Sequence, residues 1–299
     1  MNSTITDKLL DNIKTYQKEK EINLIKKAIK FSKEAHSQQF RVSGDPYYFH
    51  TIEVAKLLAE IKLDSSSIAC GLLHDTVEDT KVTLKEIENN FGPEISNLVD
   101  GLTKINKFAL RDNNLKFGEN YRKLLLATSQ DLRVIVIKLA DRLHNMRTVN
   151  FLKDNDKILN IALETQEIYA PLAQRLGIRD WQEQLEDLSF KAINPEARSS
   201  ILDRLEYLNK EDKNIIDEIS YELKLIFQSE NVNCEIYGRL KSPYSIWNKI
   251  KNKNISFEQL SDIMAFRVIT NSTRECYKAL GIIHRKFNYI QGRFKDFIS

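Results

Sequence analysis

The chain has 299 residues, of which 42% are hydrophobic and 29% are charged, and its formal net charge is +3 at pH 7. This length leaves room for two domains or one large one, and the nearly balanced charge argues against an extended nucleic-acid groove or a polybasic membrane patch. Three widely separated cysteines, a polar N-terminus and the lack of an apolar run near the roughly 18 residues of a membrane span lead us to expect a cytoplasmic protein without a disulfide or zinc framework.

The first two-thirds of the chain is predicted to be helical. "NLIKKAIKFSKEAH" has apolar residues at three- and four-residue spacings, and "TIEVAKLLAEI" follows the turn signal "SGDPYY". "SSSIACGLLHDTVED" opens with serines suited to an N-cap, and a capping box runs from Thr83 to Glu86. "LRVIVIKLADRLHNMRTV" is rich in β-branched residues, but its length without a turn residue favours a helix.

The pattern changes around "NPEARSS". Pro195 can begin a helix that we expect to run to about Phe227. After it, "NCEIYGRL" and "DIMAFRVIT" are typical of strands, the second because its side chains alternate in polarity. The sequence therefore predicts a mainly α protein, with a helical domain over residues 1–190 followed by a mixed α/β domain over residues 191–299.

The stretch "LLHDTVEDT" contains the first candidate site. On one continuous helix His74 stands over Glu78 and Asp75 over Asp79, because residues four apart share a face. Two candidate metal ligands then lie one turn from two candidate proton-transfer groups. This spacing suits hydrolysis, in which a metal acidifies a water and a carboxylate moves protons. A solvated helix end would give the same short pattern.

A second helix adds a polar stripe. Lys138, Asp141, Asn145 and Thr148 follow one another at intervals of three, four and three residues, along about 15 Å of an otherwise apolar helix. A carboxylate in such a helix is costly unless it is paired or binds a metal. Asp141 is therefore a candidate ligand, and Asn145 and Thr148 could hold a substrate. The alternative is a surface pair between Asp141 and Arg142.

The segment "AHSQQFRVSGDPYYFH" brings a third part of the site. It ends in His50, which could complete a His-His-Asp-Asp set that suits Mn²⁺, Fe²⁺ or similar ions better than structural zinc. Arg41 and Ser43 in its loop would face a phosphorylated substrate. His36 and His144 stand outside this set, and we expect packed, hydrogen-bonded core roles for them.

His50, "HDTVEDT" and "KLADRLHNMRT" together resemble the hydrolase half of the RelA/SpoT family of alarmone enzymes, a branch of the HD phosphohydrolases. The resemblance runs from about Ala28 to Leu185 and implies an all-helical, HD-type metal-dependent phosphohydrolase domain. The implied reaction removes the 3′-pyrophosphate from (p)ppGpp, giving GDP or GTP and pyrophosphate, in the stringent response.

The resemblance also implies roles for particular residues. One Mn²⁺ would be held by His50, His74, Asp75 and Asp141, and Glu78 and Asp79 would form the acid/base pair. The guanine nucleotide would be surrounded by Arg41, Ser43, Tyr47, Asn145 and Thr148. Two positions depart from the family pattern: Val42 replaces a frequent basic residue, and Thr51 replaces a usual proline. Neither is a predicted ligand.

The second candidate site lies in "YGRLKSPYSIWNKIKNKN". Cations between a strand and a helix suit a polyphosphate, and the helix N-terminus adds its dipole, although a lysine-rich surface would look similar. The residues concerned are Arg239, Lys241, Ser245 and Lys249. Asp262, at the start of the next strand, could hold Mg²⁺ for phosphoryl transfer.

With "ECYKALGIIH" and "GRFKDFIS", these segments resemble the synthetase domain of the same family, which implies ATP contacts from Arg239, Lys241 and Lys249 and magnesium on Asp262. The family pattern continues beyond Ser299 with a stacking tyrosine and a second catalytic carboxylate. We therefore expect an incomplete α/β nucleotidyltransferase-like synthetase domain that has lost synthesis.

Three other functions stay open at this point. The chain could be a non-catalytic fragment that binds a nucleotide or a partner and modulates a full-length relative. It could be a bifunctional synthetase/hydrolase, or an HD phosphohydrolase for another nucleotide. A homo-oligomer or pairing with a family relative is compatible with each, and no nucleic-acid or membrane partner is expected.

Overall fold

The computed structural model describes residues 2–109, 131–211, 215–257, 260, 263–288, 290 and 294–298. The chain divides into two units, Met1–Ile193 and Asn194–Ser299. Within the described ranges, no helix has the length and apolar character needed to cross a membrane.

The first unit is built from helices. In chain order they are α1 Asn2–Ile13, α2 Glu19–Ala35, α3 Tyr48–Glu60, α4 Ser65–Leu73, α5 Thr76–Asp79, α6 Leu84–Phe91, α7 Pro93–Ala109, α8 Arg133–Arg147, α9 Asn155–Glu164, α10 Ala170–Arg175 and α11 Arg179–Ile193. A 3₁₀ turn follows α8 at Val149–Phe151, and a π turn at Thr165–Tyr169 joins α9 to α10.

The run that mixed helix and strand signals forms α8, as predicted. Most of its side chains are buried, among them Val134, Ile137, Leu139 and Leu143. Burial on most sides explains why this helix has so many β-branched residues, because packing in a core outweighs local propensity.

Helix ends in this unit follow local side-chain chemistry. The predicted capping box is confirmed: the Thr83 hydroxyl accepts the Glu86 N–H, and the Glu86 carboxylate accepts the Thr83 N–H at 2.8 Å. The predicted serine cap of α4 is wrong. Asp64 occupies that position and accepts the N–H of Ser67 at 3.0 Å, which leaves the serines in the first turn.

The stretch "LLHDTVEDT", residues 72–80, does not form one continuous helix. α4 ends at Leu73 and α5 begins at Thr76, so His74 and Asp75 lie in the turn between them. The Thr76 hydroxyl donates to the Leu73 carbonyl at 2.6 Å, which holds the turn. The one-helix prediction is therefore wrong here, although the Asp79 N–H still donates to the Asp75 carbonyl at 2.9 Å.

Helices α3, α4 and α8 contact one another at the centre of the first unit. A side chain at Gly71 of α4 would meet Leu58 of α3 at 2.6 Å, so glycine permits the close approach of these helices. His50 lies in the first turn of α3, His74 follows α4, and Asp141 lies within α8. The packing of the core therefore sets the spacing of these three side chains.

The second unit is a smaller α/β arrangement. Its elements are α12 Pro195–Glu211, α13 Ile215–Ser229, β1 Cys234–Leu240, α14 Pro243–Lys253, β2 Met264–Thr270 and α15 Thr273–Lys286. The strands confirm the predicted ones and pair antiparallel, with Cys234 opposite Thr270. The helix predicted from Pro195 to about Phe227 is described as α12 and α13, and residues 212–214 lie outside the described residues. The fold is mainly helical with a small sheet, as predicted.

Candidate metal centre

Two imidazoles and two carboxylates converge in the first unit. Ligand atoms of His50, His74 and Asp141 all lie within 4.8 Å of one another. His50 Nε2 lies 3.2 Å from Asp141 Oδ1 and 3.6 Å from Asp75 Oδ2, and His74 Nε2 lies 3.8 Å and 2.9 Å from the same two oxygens. Two ligands each about 2.1 Å from a common ion can be up to about 4.2 Å apart. These four separations therefore fit one cation.

The orientation of His74 directs its Nε2 toward the carboxylates of the cluster. Its Nδ1 lies 2.8 Å from the carbonyl of Gly71, and because a carbonyl only accepts, Nδ1 carries the proton. Its Nε2 is buried and makes no hydrogen bond within the described part of the chain, although it lies at ion-pair distance from Asp75. A buried nitrogen without a hydrogen bond beside two carboxylates is the polar group that a bound cation would satisfy.

The charges of the cluster depend on one another. Burial opposes the charged form of His74, but the carboxylates of Asp75 and Asp141 outweigh it and raise the pKa of His74 to about 10. Burial also opposes ionisation of the two carboxyls, yet nearby cationic groups hold the pKa of Asp75 and of Asp141 below the usual range. A divalent cation binding here would displace the proton of His74.

Asp141 is held by two neighbours on α8. Lys138 Nζ lies 2.7 Å from Asp141 Oδ2, and Asn145 Nδ2 donates to Asp141 Oδ1 at 2.6 Å. Arg142 Nη2 lies 2.6 Å from Glu164 Oε2 and forms its ion pair there. The alternative of a surface pair between Asp141 and Arg142 is therefore wrong. Asp141 is therefore held by the residues of the polar stripe that lie one turn before it and one turn after it in α8.

Tyr47 lies between a candidate ligand and a candidate proton-transfer group. Its hydroxyl is 2.8 Å from Asp75 Oδ2 and 3.0 Å from Asp79 Oδ2, and its ring stacks on His36 with centroids 4.8 Å apart. Burial and the two carboxylates raise its pKa, so it keeps its proton. Asp79 is exposed and Glu78 is half-buried. The family resemblance implies a nucleotide contact for Tyr47, and the structure adds these contacts with two carboxylates.

The other predicted nucleotide contacts fall into two groups. Arg41 Nη2 donates to Asn145 Oδ1 at 2.7 Å, so these two residues meet beside the cluster. The hydroxyl of Ser43 donates to Asp45 within its own loop at 2.8 Å, and that of Thr148 donates to backbone carbonyls one turn back in α8.

Sequence reasoning missed the position of His144. Its Nδ1 lies 2.7 Å from Nδ1 of His50, and it is half-buried beside the cluster. Burial, together with nearby His50 and Arg41, lowers the pKa of His144 to about 3. The available signal was its place three residues after Asp141, on the same face of α8. His36, by contrast, is buried and bonds to Gln39, as expected of a core residue.

The second candidate site has the predicted strand-to-helix layout. Arg239 lies near the end of β1, and the Lys241 N–H donates to the Ile263 carbonyl at 2.9 Å. Ser242 caps α14 by accepting the Ser245 N–H, and Lys249 follows one turn along that helix. Asp262, the predicted magnesium ligand, lies outside the described residues.

Comparisons with known proteins match both units. A model described as "HD domain" matches residues 28–179, and one described as "Region found in RelA / SpoT proteins" matches residues 238–299. The chain is 46% identical over 291 residues to "GTP pyrophosphokinase rsh" of Brucella ovis, covering 97% of this chain and 39% of that protein.

Two further relatives carry different names. "Guanosine-3′,5′-bis(diphosphate) 3′-pyrophosphohydrolase" of Spiroplasma citri is 41% identical over 296 residues, covering 98% of this chain and 39% of that protein. "Bifunctional (p)ppGpp synthase/hydrolase SpoT" of Escherichia coli K12 is 42% identical over 287 residues, covering 96% and 41%. The chain therefore spans about two fifths of the length of these curated relatives.

A solved structure of a metazoan ortholog of SpoT that hydrolyzes ppGpp aligns with a TM-score of 0.47 at 23% identity, covering 60% of this chain and 98% of that one. The match over residues 28–179 makes the chain an HD-domain protein. Because the RelA/SpoT region follows that domain, the chain belongs to the RelA/SpoT family, as its motifs predicted.

Proposed function

We propose that the first unit is a Mn²⁺-dependent (p)ppGpp 3′-pyrophosphohydrolase of the stringent response. It would convert (p)ppGpp and water to GDP or GTP and pyrophosphate. The observation that carries this proposal is the convergence of two buried imidazoles on two carboxylates, with one imidazole nitrogen left without a hydrogen bond. The names of the relatives from Spiroplasma citri and Escherichia coli support the choice of substrate.

The donor set supports the choice of metal. His50, His74, Asp75 and Asp141 would hold the ion, and a mixed shell of nitrogen and oxygen without thiolate suits Mn²⁺ and similar divalent ions. A divalent cation bound there would lower the pKa of a water and polarise a phosphoryl oxygen.

The proton transfers fall to the chain's own carboxylates. Hydrolysis of the 3′-phosphoester removes one proton from the attacking water and gives one to the departing ribose 3′-oxygen. Glu78 and Asp79 form the proposed acid/base pair for these transfers. The Tyr47 hydroxyl, in contact with both Asp75 and Asp79, would hold Asp79 at a fixed position beside the metal ligands.

Substrate binding in this proposal uses permanent charge and hydrogen bonds. Arg41 brings a guanidinium next to the cluster, where it can pair with a phosphate of the nucleotide. Asn145, Ser43, Tyr47 and Thr148 would surround the guanosine, with Ser43 and Thr148 exchanging their local hydrogen bonds for the ligand.

The test is pyrophosphate release from ppGpp by the purified chain, with and without Mn²⁺. We expect turnover that requires Mn²⁺ and that chelation or His74→Ala abolishes. His284→Ala, on α15 of the second unit, is the matched control and should retain activity. No release from ppGpp by the Mn²⁺-loaded wild type would overturn the proposal. Binding of ppGpp without turnover would instead support a non-catalytic fragment.

The second unit supports a second candidate function, polyphosphate binding. Lys241 and Ser245 flank the capped start of α14, Arg239 lies near the end of β1, and Lys249 lies one turn beyond Ser245, all inside the matched RelA/SpoT region. We propose that they bind the phosphates of ATP with Mg²⁺, and that Lys249→Ala weakens ATP binding measured by calorimetry. Unchanged binding would exclude this role.

A further inference from the structure

His50 faces the carboxylates with only one of its ring nitrogens. Nε2 lies 3.2 Å from Asp141 Oδ1, whereas Nδ1 lies 2.7 Å from Nδ1 of His144. Two neutral imidazoles at this distance form one hydrogen bond, in which one nitrogen donates and the other accepts. The direction of that bond decides which nitrogen of His50 carries its hydrogen.

Arg41 determines the direction of the bond. Its Nη1 lies 3.5 Å from Nδ1 of His144, a long contact, and a guanidinium can donate but never accept. Nδ1 of His144 therefore presents its lone pair, and Nδ1 of His50 carries the hydrogen that it donates. Nε2 of His50 is then left without a hydrogen, with its lone pair toward the carboxylates.

We propose that His144 is a positioning residue that holds His50 in the tautomer required for metal binding, and that Arg41 orients His144. This inference rests on the proposed metal site. A histidine ligand needs a bare nitrogen toward the ion and a hydrogen-bond acceptor for its other N–H, which also fixes the plane of the ring. His144 provides that acceptor from α8, the same helix that carries Asp141.

The competing explanation is that His144 only fills space beside His50, whose ring centroid is 4.8 Å away. Two substitutions separate these roles. His144→Phe keeps a ring but removes the acceptor, whereas His144→Asn loses volume but can place an amide oxygen near the position of Nδ1. A packing role predicts that Phe is tolerated better than Asn, and an acceptor role predicts the reverse.

The experiment measures Mn²⁺ affinity of the full chain by electron paramagnetic resonance of the free ion, without substrate. We expect His144→Phe to weaken binding roughly 10- to 100-fold, the usual cost of losing such a partner, and His144→Asn to stay within about threefold of wild type. Wild-type affinity in the Phe variant, or equal losses in both variants, would overturn the inference. Failure of the wild type to bind Mn²⁺ would instead reject the metal site itself.

A measurement on the wild type covers the case in which a variant does not fold. With diamagnetic Zn²⁺ bound, nitrogen-15 spectra of the imidazoles report which ring nitrogens carry hydrogens. We expect a hydrogen on Nδ1 of His50 and on Nε2 of His144. A hydrogen on Nδ1 of His144 would contradict the proposed direction of the bond.

Discussion

The two candidate sites differ in how the fold builds them. In the first unit, His50, His74 and Asp141 are 1%, 2% and 4% exposed, and they come from helix α3, from the turn after α4 and from helix α8. In the second, Arg239 and Lys249 are half-buried and lie on one strand and the helix that follows it. The first site therefore depends on tertiary packing, and the second on a local strand-to-helix connection. We expect single substitutions to have large effects at the first and graded effects at the second.

The largest expected effect comes from Asp141→Asn. It removes a proposed ligand and leaves Lys138 without its buried counter-ion. We expect hydrolysis to fall by about 10³, since metal catalysis contributes several kcal/mol, and the metal-free protein to lose about 3–5 kcal/mol of stability. Steady-state assays and urea unfolding measure the two effects. Lys249→Ala is the comparison, and a similar loss of hydrolysis there would contradict the separation of the two sites.

A smaller effect is expected from Asp79→Asn, which tests whether proton transfer and metal binding are carried out by different residues of the first site. Asp79 is exposed and contacts Tyr47, and it is proposed to transfer protons and not to bind the metal. We expect kcat to fall by about 10²-fold, at the low end for an acid/base group, with Mn²⁺ affinity almost unchanged. Asp75→Asn should weaken Mn²⁺ binding instead. Loss of Mn²⁺ binding in Asp79→Asn would make Asp79 a ligand.

The smallest expected effect is the pH dependence of Mn²⁺ affinity at the first site. His74, with its pKa raised to about 10, is protonated at neutral pH in the metal-free protein, and Mn²⁺ must displace that proton. The apparent affinity should therefore weaken about tenfold for each unit by which the pH falls between 8 and 7. Calorimetry in two buffers of different ionisation enthalpy should show release of about one proton. A pH-independent affinity would show that His74 is already neutral.

The sequence was informative where a pattern is local. The length of α8 without a turn residue, the capping box at Thr83 and the alternation in β2 all follow from neighbouring residues, and the structure has them. The residue types suggested His50, His74, Asp75 and Asp141 as one ligand set, and the family resemblance supported that set. Spacing within one helix, however, says nothing about which segments meet.

What the sequence did not reveal are contacts between distant segments. The break after Leu73 has a local contact, from the Thr76 hydroxyl to the Leu73 carbonyl, but the contacts of Tyr47 and His144 cross 28 and 94 residues of sequence. Periodicity identifies the face of a helix on which a side chain lies, but the partner on another helix follows from packing. His144 therefore looked like an ordinary core histidine.

The buried Lys138 affects how the first site would meet its substrate. Two carboxylates alone would neutralise a divalent ion, leaving nothing to attract a polyanion. The ammonium of Lys138 against Asp141 would leave the ion and its ligands with one surplus positive charge, and Arg41 would add another at the rim. The carboxylates of Glu78 and Asp79 offset these charges when they are ionised. The attraction of a highly phosphorylated nucleotide would therefore come from the side of Arg41, and it should weaken as the salt concentration rises.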